Sequence, residues 1–523
     1  MSRDHANKPN SFVPVLLAAG AALVASIFSA AAIALDEDQA FKREEGAIFA
    51  AASVIACNLL DGRSTKKRVG DKSDDLQRPR KYVCWDRQRA KFCINMDYLG
   101  PHPTFGPDDF QRIFRVSRTT YDRLHNYLCE MQPFFRDGID ATKREKISSH
   151  AKILIGLKYL AYGTTVNAFR DYFQVGESTA MKCVKLLTKE VTNSPFRKEF
   201  FKSMTSSDAR RVEAYHSIVH GVRGMIGSLD CSHVVWGNCP VAHHGQFQGK
   251  EGKPTLVVEA MVDHSLSVWH AVFGYCGTLN DLTIWDSSLL LQAMCDGTFD
   301  EIDFQFTIGG EQFQQLWLLV DGIYPPLSRF VKPISVPIGD TEALFSMWQE
   351  AKRKDVERFF GVFKKKFYLF GRPIPLAFIE DILDAFYCCL ILHNMAVRER
   401  LDASSDVMES ELHYDCVDDP TVADEAPLDA RVNPALQYTN LEEEHVNERV
   451  LEVEYLSALG INVVDLTLPL DVQRISLLPQ YQRVAQHRWN QLYNGNDHLK
   501  LSKAIARELK MNYDEYKKRN SSS

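Results

Sequence analysis

The stretch Gly227-Ser-Leu-Asp-Cys-Ser-His233 decides the fold of this chain. Apolar residues at Met225, Ile226 and Leu229 predict a short buried strand, with Asp230 near its end. An unpaired buried carboxylate costs several kcal/mol, so packing alone does not explain this aspartate. A strand-end aspartate that caps a turn is the alternative at this point. The rest of the chain therefore has to supply partners for the Asp230 carboxylate.

A second apolar run repeats this arrangement. Residues 316–320 read Leu-Trp-Leu-Leu-Val, which predicts a strand, and Asp321 follows it directly. Between the two aspartates, residues 254–262 and 266–273 predict a hairpin. A loop at 277–281 leads into a predicted helix that runs to Leu291. Two strand-end carboxylates can therefore meet at one edge of a mixed sheet.

A third carboxylate, Glu357, lies on a long helix predicted for residues 341–367. At 100° per residue, Glu357 falls beside the apolar face of this helix and not within it. A surface helix offers the simpler alternative that Glu357 pairs with Arg353 or Lys354. The predicted buried face consists of Val356, Phe359, Phe360 and Phe363.

Three carboxylates close together repel one another strongly unless cations lie between them. Carboxylate oxygens suit Mg²⁺ or Mn²⁺, and two such ions about 4 Å apart activate a water or a 3′-hydroxyl in phosphodiester cleavage. Basic residues around Glu357 would bind the DNA backbone without reading its sequence. These predicted DNA-binding residues are Arg353, Lys354, Arg358 and Lys364.

Helical periodicity marks the region before the strands, from Asp108 to Glu190. It includes three short helical stretches, with Gly176 in the tight connection before the third. A helix, a short turn and a helix that carries Lys182, Lys185 and Lys189 match a helix-turn-helix DNA reader. An ordinary small helical bundle explains the same pattern, and both interpretations stay open.

Charge is unevenly distributed along the chain. The 523 residues carry a formal charge of −7, whereas residues 401–470 hold 17 acidic and two basic residues, a net charge of −15. The remaining 453 residues therefore carry +8, which allows a basic surface for nucleic acid. The twelve cysteines follow no repeating spacing, which is typical of reduced thiols in an intracellular protein. A zinc site at Cys231, His233, Cys239, His243 and His244 is an alternative, although the spacing matches no common zinc module.

The two ends of the chain differ from its middle. Residues 12–35 are uncharged and long enough to span a bilayer, so a membrane anchor, a signal peptide and an Ala-rich packed helix are alternatives. Residues 401–450 are acidic and poor in aromatics, which predicts disorder, and residues 480–517 regain helical periodicity. The predicted organisation is a hydrophobic and basic segment (1–95), a helical domain (96–200), an α/β domain (201–400) and an acidic region with a terminal helix (401–523).

Several motifs follow one another between residues 100 and 400. They include Gly-Ser-Leu-Asp-Cys-Ser-His at 227–233, Gly-x-x-Asn-Asp at 277–281, Val-Asp-Gly-Ile-Tyr-Pro at 320–325, Arg-Lys-Asp-Val-Glu-Arg-x-Phe-Gly at 353–361 and Leu-His-Asn-Met at 392–395. In identity and order they closely resemble the plant-transposon branch of the PIF/Harbinger transposases. The hydrophobic N-terminus and the acidic C-terminal region lie outside this resemblance.

The resemblance implies an RNase H-like α/β catalytic domain, a mixed sheet flanked by helices, behind an all-α helix-turn-helix-like domain. Carried over by motif, the catalytic metal ligands are Asp230, Asp321 and Glu357, and Asp281 is a further acidic position that ligates or supports the metal. The implied cofactor is Mg²⁺ or Mn²⁺, as two ions. The implied partners are DNA, as transposon ends and target, a separate Myb-like DNA-binding protein and a further copy of the chain in a homo-oligomer. The implied location is the nucleus.

Two functions of different classes remain open. One is a DNA transposase or endonuclease that cuts and joins phosphodiester bonds, and the other is a domesticated, non-catalytic DNA-binding or scaffold protein. The presence of every acid of the triad favours activity. The further alternative of a membrane-anchored or secreted protein depends on residues 12–35 alone.

Overall fold

The computed structural model of the protein describes residues 83–140, 143–403, 489, 491–493 and 495–521. The chain divides into two compact units, one formed by Met1–Gln77 with Trp285–Ser287, the other by Arg78–Ile284 with Ser288–Ser523. Of the first unit, only Trp285–Ser287 is described. The fold set out below is that of the second unit.

Helices occupy the chain before the sheet, as the periodicity predicts. They are α1 (Arg87–Ile94), α2 (Pro107–Phe114), α3 (Arg118–Met131), α4 (Ser149–Tyr162), α5 (Arg170–Phe173), α6 (Glu177–Thr192), α7 (Pro195–Phe200) and α8 (Ser206–His220). Ser148 accepts a hydrogen bond from the Ala151 N–H where α4 begins, and Gly163 ends that helix in the left-handed conformation. Thr205 and Asp208 form a capping box at the start of α8.

Seven strands follow in the described residues. They are β1 (Met225–Val235), β2 (Thr255–Val262), β3 (Val268–Cys276), β4 (Phe306–Ile308), β5 (Glu311–Phe313), β6 (Trp317–Leu319) and β7 (Phe330–Val331). Five of them form a mixed sheet in the order β3-β2-β1-β6-β7, and β4 pairs with β5 in a separate hairpin. β1, β2 and β3 pair antiparallel, whereas β6 runs parallel to β1 and β7 parallel to β6. The predicted hairpin and the predicted strand before Asp321 are both present.

β1 is longer than predicted. The sequence suggests a short strand that ends near Asp230. Asp230 is the sixth of its eleven residues, since β1 continues to pair with β2 as far as the partners Val235 and Thr255. The parallel neighbour β6 stops earlier, at the pair Ser228 and Leu319. Asp230 therefore lies just beyond the point at which pairing with β6 ends.

Further helices lie after β1. They are α9 (His244–Phe247), α10 (Asp281–Asp286), α11 (Leu289–Asp296), α12 (Asp340–Lys366), α13 (Ile379–Ala403) and α14 (Gly495–Ser521). The single helix predicted to run to Leu291 is instead the pair α10 and α11, because Ser288 caps a new helix by accepting from the Leu290 N–H. The long helix predicted at 341–367 is α12, with bounds that agree within one residue.

α12 lies against β1 and β2, and α13 lies against β3 and α6. The predicted buried face of α12 is confirmed, because Val356, Phe359, Phe360 and Phe363 are all buried. The Phe363 ring lies 5.4 Å from that of Phe386 on α13, and the Phe386 ring lies 4.2 Å from that of Phe273 on β3. This aromatic contact joins both helices to the sheet. At the opposite edge, α14 packs against α12 and β7.

Residues 96–200 and, apart from Trp285–Ser287, residues 201–400 lie in the second compact unit, where α6 packs along α13. The domain boundaries drawn from the sequence stay a prediction. The apolar segment 12–35 lies outside the described residues, as does the acidic region from residue 404 to 488. Among the helices that are described, none combines the length and the apolar character needed to cross a membrane.

Candidate functional site

Asp230 lies within β1, and Asp321 follows the neighbouring parallel strand β6 at the same level. The last paired residues of β1 and β6 are Ser228 and Leu319, and each aspartate comes two residues later. Neighbouring strands lie about 4.8 Å apart, and residues two apart along a strand share a face. The register thus brings the first two predicted metal ligands to neighbouring positions just beyond the paired part of β1 and β6.

Gly227, at the start of the deciding stretch, sets this register. The pairing of β1 with β6 shifts by one residue between Met225 and Gly227, as at a β-bulge. Gly227 has φ = 146°, and a Cβ at this position would collide with the carbonyl oxygen of Val262. Only glycine combines that backbone conformation with so close an approach. The glycine therefore fixes the level at which Asp230 emerges from β1.

Both carboxylate oxygens of Asp230 are engaged. Oδ1 accepts a hydrogen bond from the Cys231 N–H at 2.8 Å, and Oδ2 accepts one from Nη1 of Arg353 at 3.1 Å. The side chains of Asp230 and Arg353 are 19% and 17% exposed, so this ion pair is largely shielded from water. Asp230 consequently has the partner that its burial requires.

Arg353 also reaches the third predicted ligand. Its Nη2 lies 3.0 Å from Oε1 of Glu357, one helical turn further along α12. The pairing of Glu357 with Arg353 was the simpler alternative from the sequence, and it is present. The same guanidinium nevertheless binds Asp230, so Glu357 lies on the side of the sheet to which Asp230 points. One arginine thus joins the first and the third predicted metal ligands.

Two of the other predicted acids influence the ionisation of Asp230. The pKa of Asp230 is raised from its ordinary value of 3.8 to about 6, chiefly by burial and further by the carboxylates of Asp321 and Asp281. The Cys231 N–H and the Arg353 guanidinium act in the opposite direction. Asp321 itself accepts a hydrogen bond from the Gly322 N–H at 2.7 Å. The carboxylates of Asp321 and Asp281 therefore act electrostatically on Asp230, and Arg353 is an α12 cation that pairs with it.

The donor set fits a hard divalent cation chemically, since carboxylate oxygens are the ligands that Mg²⁺ and Mn²⁺ prefer. Within the described part of the chain, however, no three His, Cys, Asp or Glu side chains are arranged to hold a metal ion. The positive charge between Asp230 and Glu357 comes instead from the Arg353 guanidinium. The metal site carried over from the family resemblance stays a prediction.

Arg353 and Lys364, two of the residues predicted to bind DNA, contact β1. Nζ of Lys364 donates to the Ser232 Oγ at 2.8 Å and to the carbonyl oxygen of His233 at 3.0 Å. Burial lowers the pKa of Lys364. Both cations therefore have partners within the protein, and a role in DNA binding would require them to exchange these partners.

Lys354 and Arg358 lie on the exposed side of α12. Lys354 is exposed, and Arg358 is exposed although its Nη2 lies 3.3 Å from Oδ1 of Asp355. Among the four basic residues predicted on this helix, these two face solvent in the folded protein. Their predicted contact with a phosphate backbone remains untested.

The other predicted DNA-binding lysines lie on α6, which packs against α4 and α13. Lys182 and Lys189 are exposed, whereas Nζ of Lys185 lies 2.6 Å from Oδ2 of Asp381 on α13. A duplex that contacted α6 would meet Lys182 and Lys189 first. This geometry agrees with a small helical bundle and leaves the DNA-reading interpretation a prediction.

Two residues near the carboxylates were not predicted to act there. Burial lowers the pKa of Lys332, next to β7, while the nearby Asp321 opposes this shift. Burial likewise lowers the pKa of His233, and Asp281 opposes it. Lys332 follows a two-residue strand that has no recognisable pattern, so only the folded structure reveals it. His233 belongs to the deciding stretch, where its proximity to Asp281 could not be derived from spacing.

The zinc alternative finds no support in the described residues. Sγ of Cys231 lies 3.5 Å from the Tyr324 hydroxyl, and burial raises the pKa of this thiol, so it remains protonated. His244 bonds through Nε2 to the carbonyl oxygen of Cys239. These contacts are those of packed polar side chains and not of a metal site.

Part of the chain matches a family of known proteins. No curated protein and no solved structure gave a match. Residues 198–404 match the family described as plant transposon protein, a span that contains the five-stranded sheet, α12, α13 and all four carboxylates. This match supports a transposon-derived protein whose candidate site lies within the matched residues.

Proposed function

We propose that the protein is a DNA transposase of the PIF/Harbinger type, or an endonuclease derived from one. It cleaves and joins phosphodiester bonds at a two-metal site whose ligands are Asp230, Asp321 and Glu357, with Asp281 as a further acid. The single observation that carries this proposal is the Arg353 guanidinium, which binds Asp230 and Glu357 at the same time. Carboxylates 127 residues apart in sequence thereby lie at one place.

The sheet supports an RNase H-like assignment for this domain. Three antiparallel strands continue into two parallel ones, and the first aspartate lies on the central strand β1. The second aspartate follows the adjacent parallel strand, and the glutamate comes from a helix that crosses β1. This is the order in which the family resemblance arranges its triad.

Mg²⁺ or Mn²⁺, when bound, would supply the activated oxygen nucleophile and neutralise charge on the leaving oxygen. Asp230 and Asp321 would hold the ions from the sheet, and Glu357 would hold them from α12. Burial of Asp230 keeps water from competing for its oxygens. Lys354 and Arg358, exposed on the same helix, would bind the phosphates on either side of the scissile bond.

Nicking of a supercoiled plasmid tests this proposal. The full-length wild type is expected to nick with Mg²⁺ and to stop when EDTA is added. Asp321→Asn and Glu357→Gln are each expected to reduce nicking at least about a hundredfold, because each removes a ligand charge. Glu350→Gln removes an exposed carboxylate from α12 and serves as the matched control. Equal nicking by Asp321→Asn and the wild type would remove Asp321 from catalysis.

The same ion pairs also favour a second function, that of a non-catalytic DNA-binding or scaffold protein. A site permanently closed by Arg353 would bind DNA and leave it intact. An electrophoretic mobility-shift measurement alongside the nicking assay separates the two functions. DNA binding without Mg²⁺-dependent nicking would identify the scaffold.

We further propose a nuclear location and, as partners, DNA, a separate Myb-like DNA-binding protein and a second copy of the chain. The cluster Lys66-Lys67-Arg68 is a short basic run of the kind that directs nuclear import. Imaging of the tagged full-length chain beside one without residues 1–35 tests the location. Retention of the full-length chain at a membrane, relieved by the deletion, would contradict it.

A further inference from the structure

The Arg353 guanidinium occupies the oxygens that a metal ion would need. It binds Oδ2 of Asp230, whose Oδ1 accepts a hydrogen bond from the Cys231 N–H. It also takes Oε1 of Glu357. A divalent cation that used both side chains would meet a positive charge in the same place.

The position of Arg353 is incompletely satisfied. Its Nε is buried and makes no hydrogen bond, although its two Nη atoms bind carboxylates. A buried N–H without an acceptor is unfavourable, which offsets part of the gain from the ion pairs. Glu357 is 49% exposed, so the side of the site through which the guanidinium would leave is open to solvent. The two ion pairs hold Arg353 between the carboxylates, whereas the unsatisfied Nε and the exposed side of Glu357 favour its release.

We propose that Arg353 is a tethered counter-cation that competes with the divalent metal. In the metal-free protein it neutralises Asp230 and Glu357 and keeps them together. When a metal ion binds, the guanidinium must release both carboxylates and turn towards solvent. This inference rests on the proposed metal site and adds a regulatory element to it, since metal affinity is set by an internal competitor.

A titration of the full-length protein with Mn²⁺ alone tests the competition. Electron paramagnetic resonance measures binding as the loss of the free-ion signal. Arg353→Gln removes the competing charge and is expected to bind Mn²⁺ at least about tenfold more tightly than the wild type. Lys354→Gln removes the same charge from the adjacent, exposed position and measures the general electrostatic effect, which is expected to be smaller. Arg353→Lys keeps the charge without the two-pronged contact, so an intermediate affinity is expected.

A second readout does not depend on metal affinity. Without metal, Arg353→Gln is expected to unfold at a lower temperature than Lys354→Gln, because it leaves buried Asp230 without its cation. Saturating Mn²⁺ is expected to narrow this difference, since the metal replaces the arginine. A difference that metal does not narrow would show that Arg353 is a permanent structural pair and would overturn the competition.

The outcomes separate this inference from the proposed function. Mn²⁺ binding that is lost in Asp321→Asn but is no tighter in Arg353→Gln than in Lys354→Gln refutes the competition and leaves the metal site standing. Absence of Mn²⁺ binding from both the wild type and Arg353→Gln refutes the metal site itself, and the competition with it. Arg353→Lys provides the affinity comparison if Arg353→Gln does not fold.

Discussion

Replacing Asp230 by asparagine is expected to remove a pH-dependent loss of stability from the metal-free protein. The pKa of this carboxyl is raised from 3.8 to about 6, chiefly by burial, so the folded protein holds its proton more tightly than the unfolded chain does. The wild type therefore loses stability as the pH rises from about 4 to 6, and the loss is complete above that range. Asparagine has the shape of the protonated acid and does not ionise.

The magnitude follows from the shift. At pH 7.5 the ionised Asp230 costs the wild type about 3 kcal/mol relative to a side chain that does not titrate, at 1.36 kcal/mol per pKa unit. At pH 5 the folded carboxyl is mostly protonated, and the cost is about half as large. Between pH 5 and pH 7.5 the free energy of unfolding of Asp230→Asn is thus expected to rise by about 1.4 kcal/mol relative to that of the wild type. Any pH-independent effect of the substitution on packing cancels in this comparison.

Urea denaturation in EDTA at the two pH values measures the free energy of unfolding of both proteins. Glu350→Gln, which removes a carboxylate from the exposed side of α12, is the matched control for the loss of one negative charge. A difference in the free energy of unfolding between Asp230→Asn and the wild type that stays constant from pH 5 to pH 7.5, or that shifts in favour of the wild type at the higher pH, would refute the reasoning. It would mean that Arg353 offsets the burial of Asp230 completely.

Three further substitutions test the fold around the site. Arg329→Met is expected to lower the free energy of unfolding by about 3–5 kcal/mol, because buried Arg329 pairs with Asp303, and a loss below 1 kcal/mol in urea denaturation would contradict this. Phe359→Ala should cost about 3–5 kcal/mol by the same measurement, since Phe359 is buried between α12 and α13, and a near-neutral effect would mean that this core can collapse. Burial lowers the pKa of His216 well below its ordinary 6.5, so the folded protein keeps it neutral and loses stability as the pH falls through 6.5. As the pH falls from 8 to 5, the free energy of unfolding of His216→Phe should therefore rise by about 2 kcal/mol relative to that of the wild type. A difference between the two proteins that does not change with pH would show that His216 is not the titrating group.

The local features of this fold could be predicted from the sequence. The hairpin of β2 and β3 and the bounds of α12 follow from periodicity, and the buried face of α12 follows from the spacing of its aromatics. The length of β1 could not be predicted, because its second half pairs with β2 alone and no longer with β6. Likewise, Ser288 caps α11 where the apolar pattern suggested that one helix continued.

The role of Arg353 shows where sequence reasoning stops. Glu357 is four residues from Arg353 on the same helix, so the sequence alone predicts that the two side chains can pair on the helix surface. Asp230 is 123 residues from Arg353 in sequence, and their contact depends on how α12 crosses β1. The sequence therefore predicted the local half of the interaction and missed the half that brings two candidate ligands together.

A single helix controls the geometry of the candidate site. Arg353, Glu357 and Lys364 are four and seven residues apart on α12, close to whole turns, so they project along one side of the helix. At one end of this side Arg353 binds Asp230, and at the other Lys364 binds the backbone of β1 at His233. A slip of α12 by one turn, about 5.4 Å, would break both contacts at once. The aromatic packing of α12 against α13 opposes that slip, so Arg353 and Glu357 stay beside Asp230, and carboxylates this close need a positive charge between them. Arg353, on the helix that brings Glu357, provides that charge.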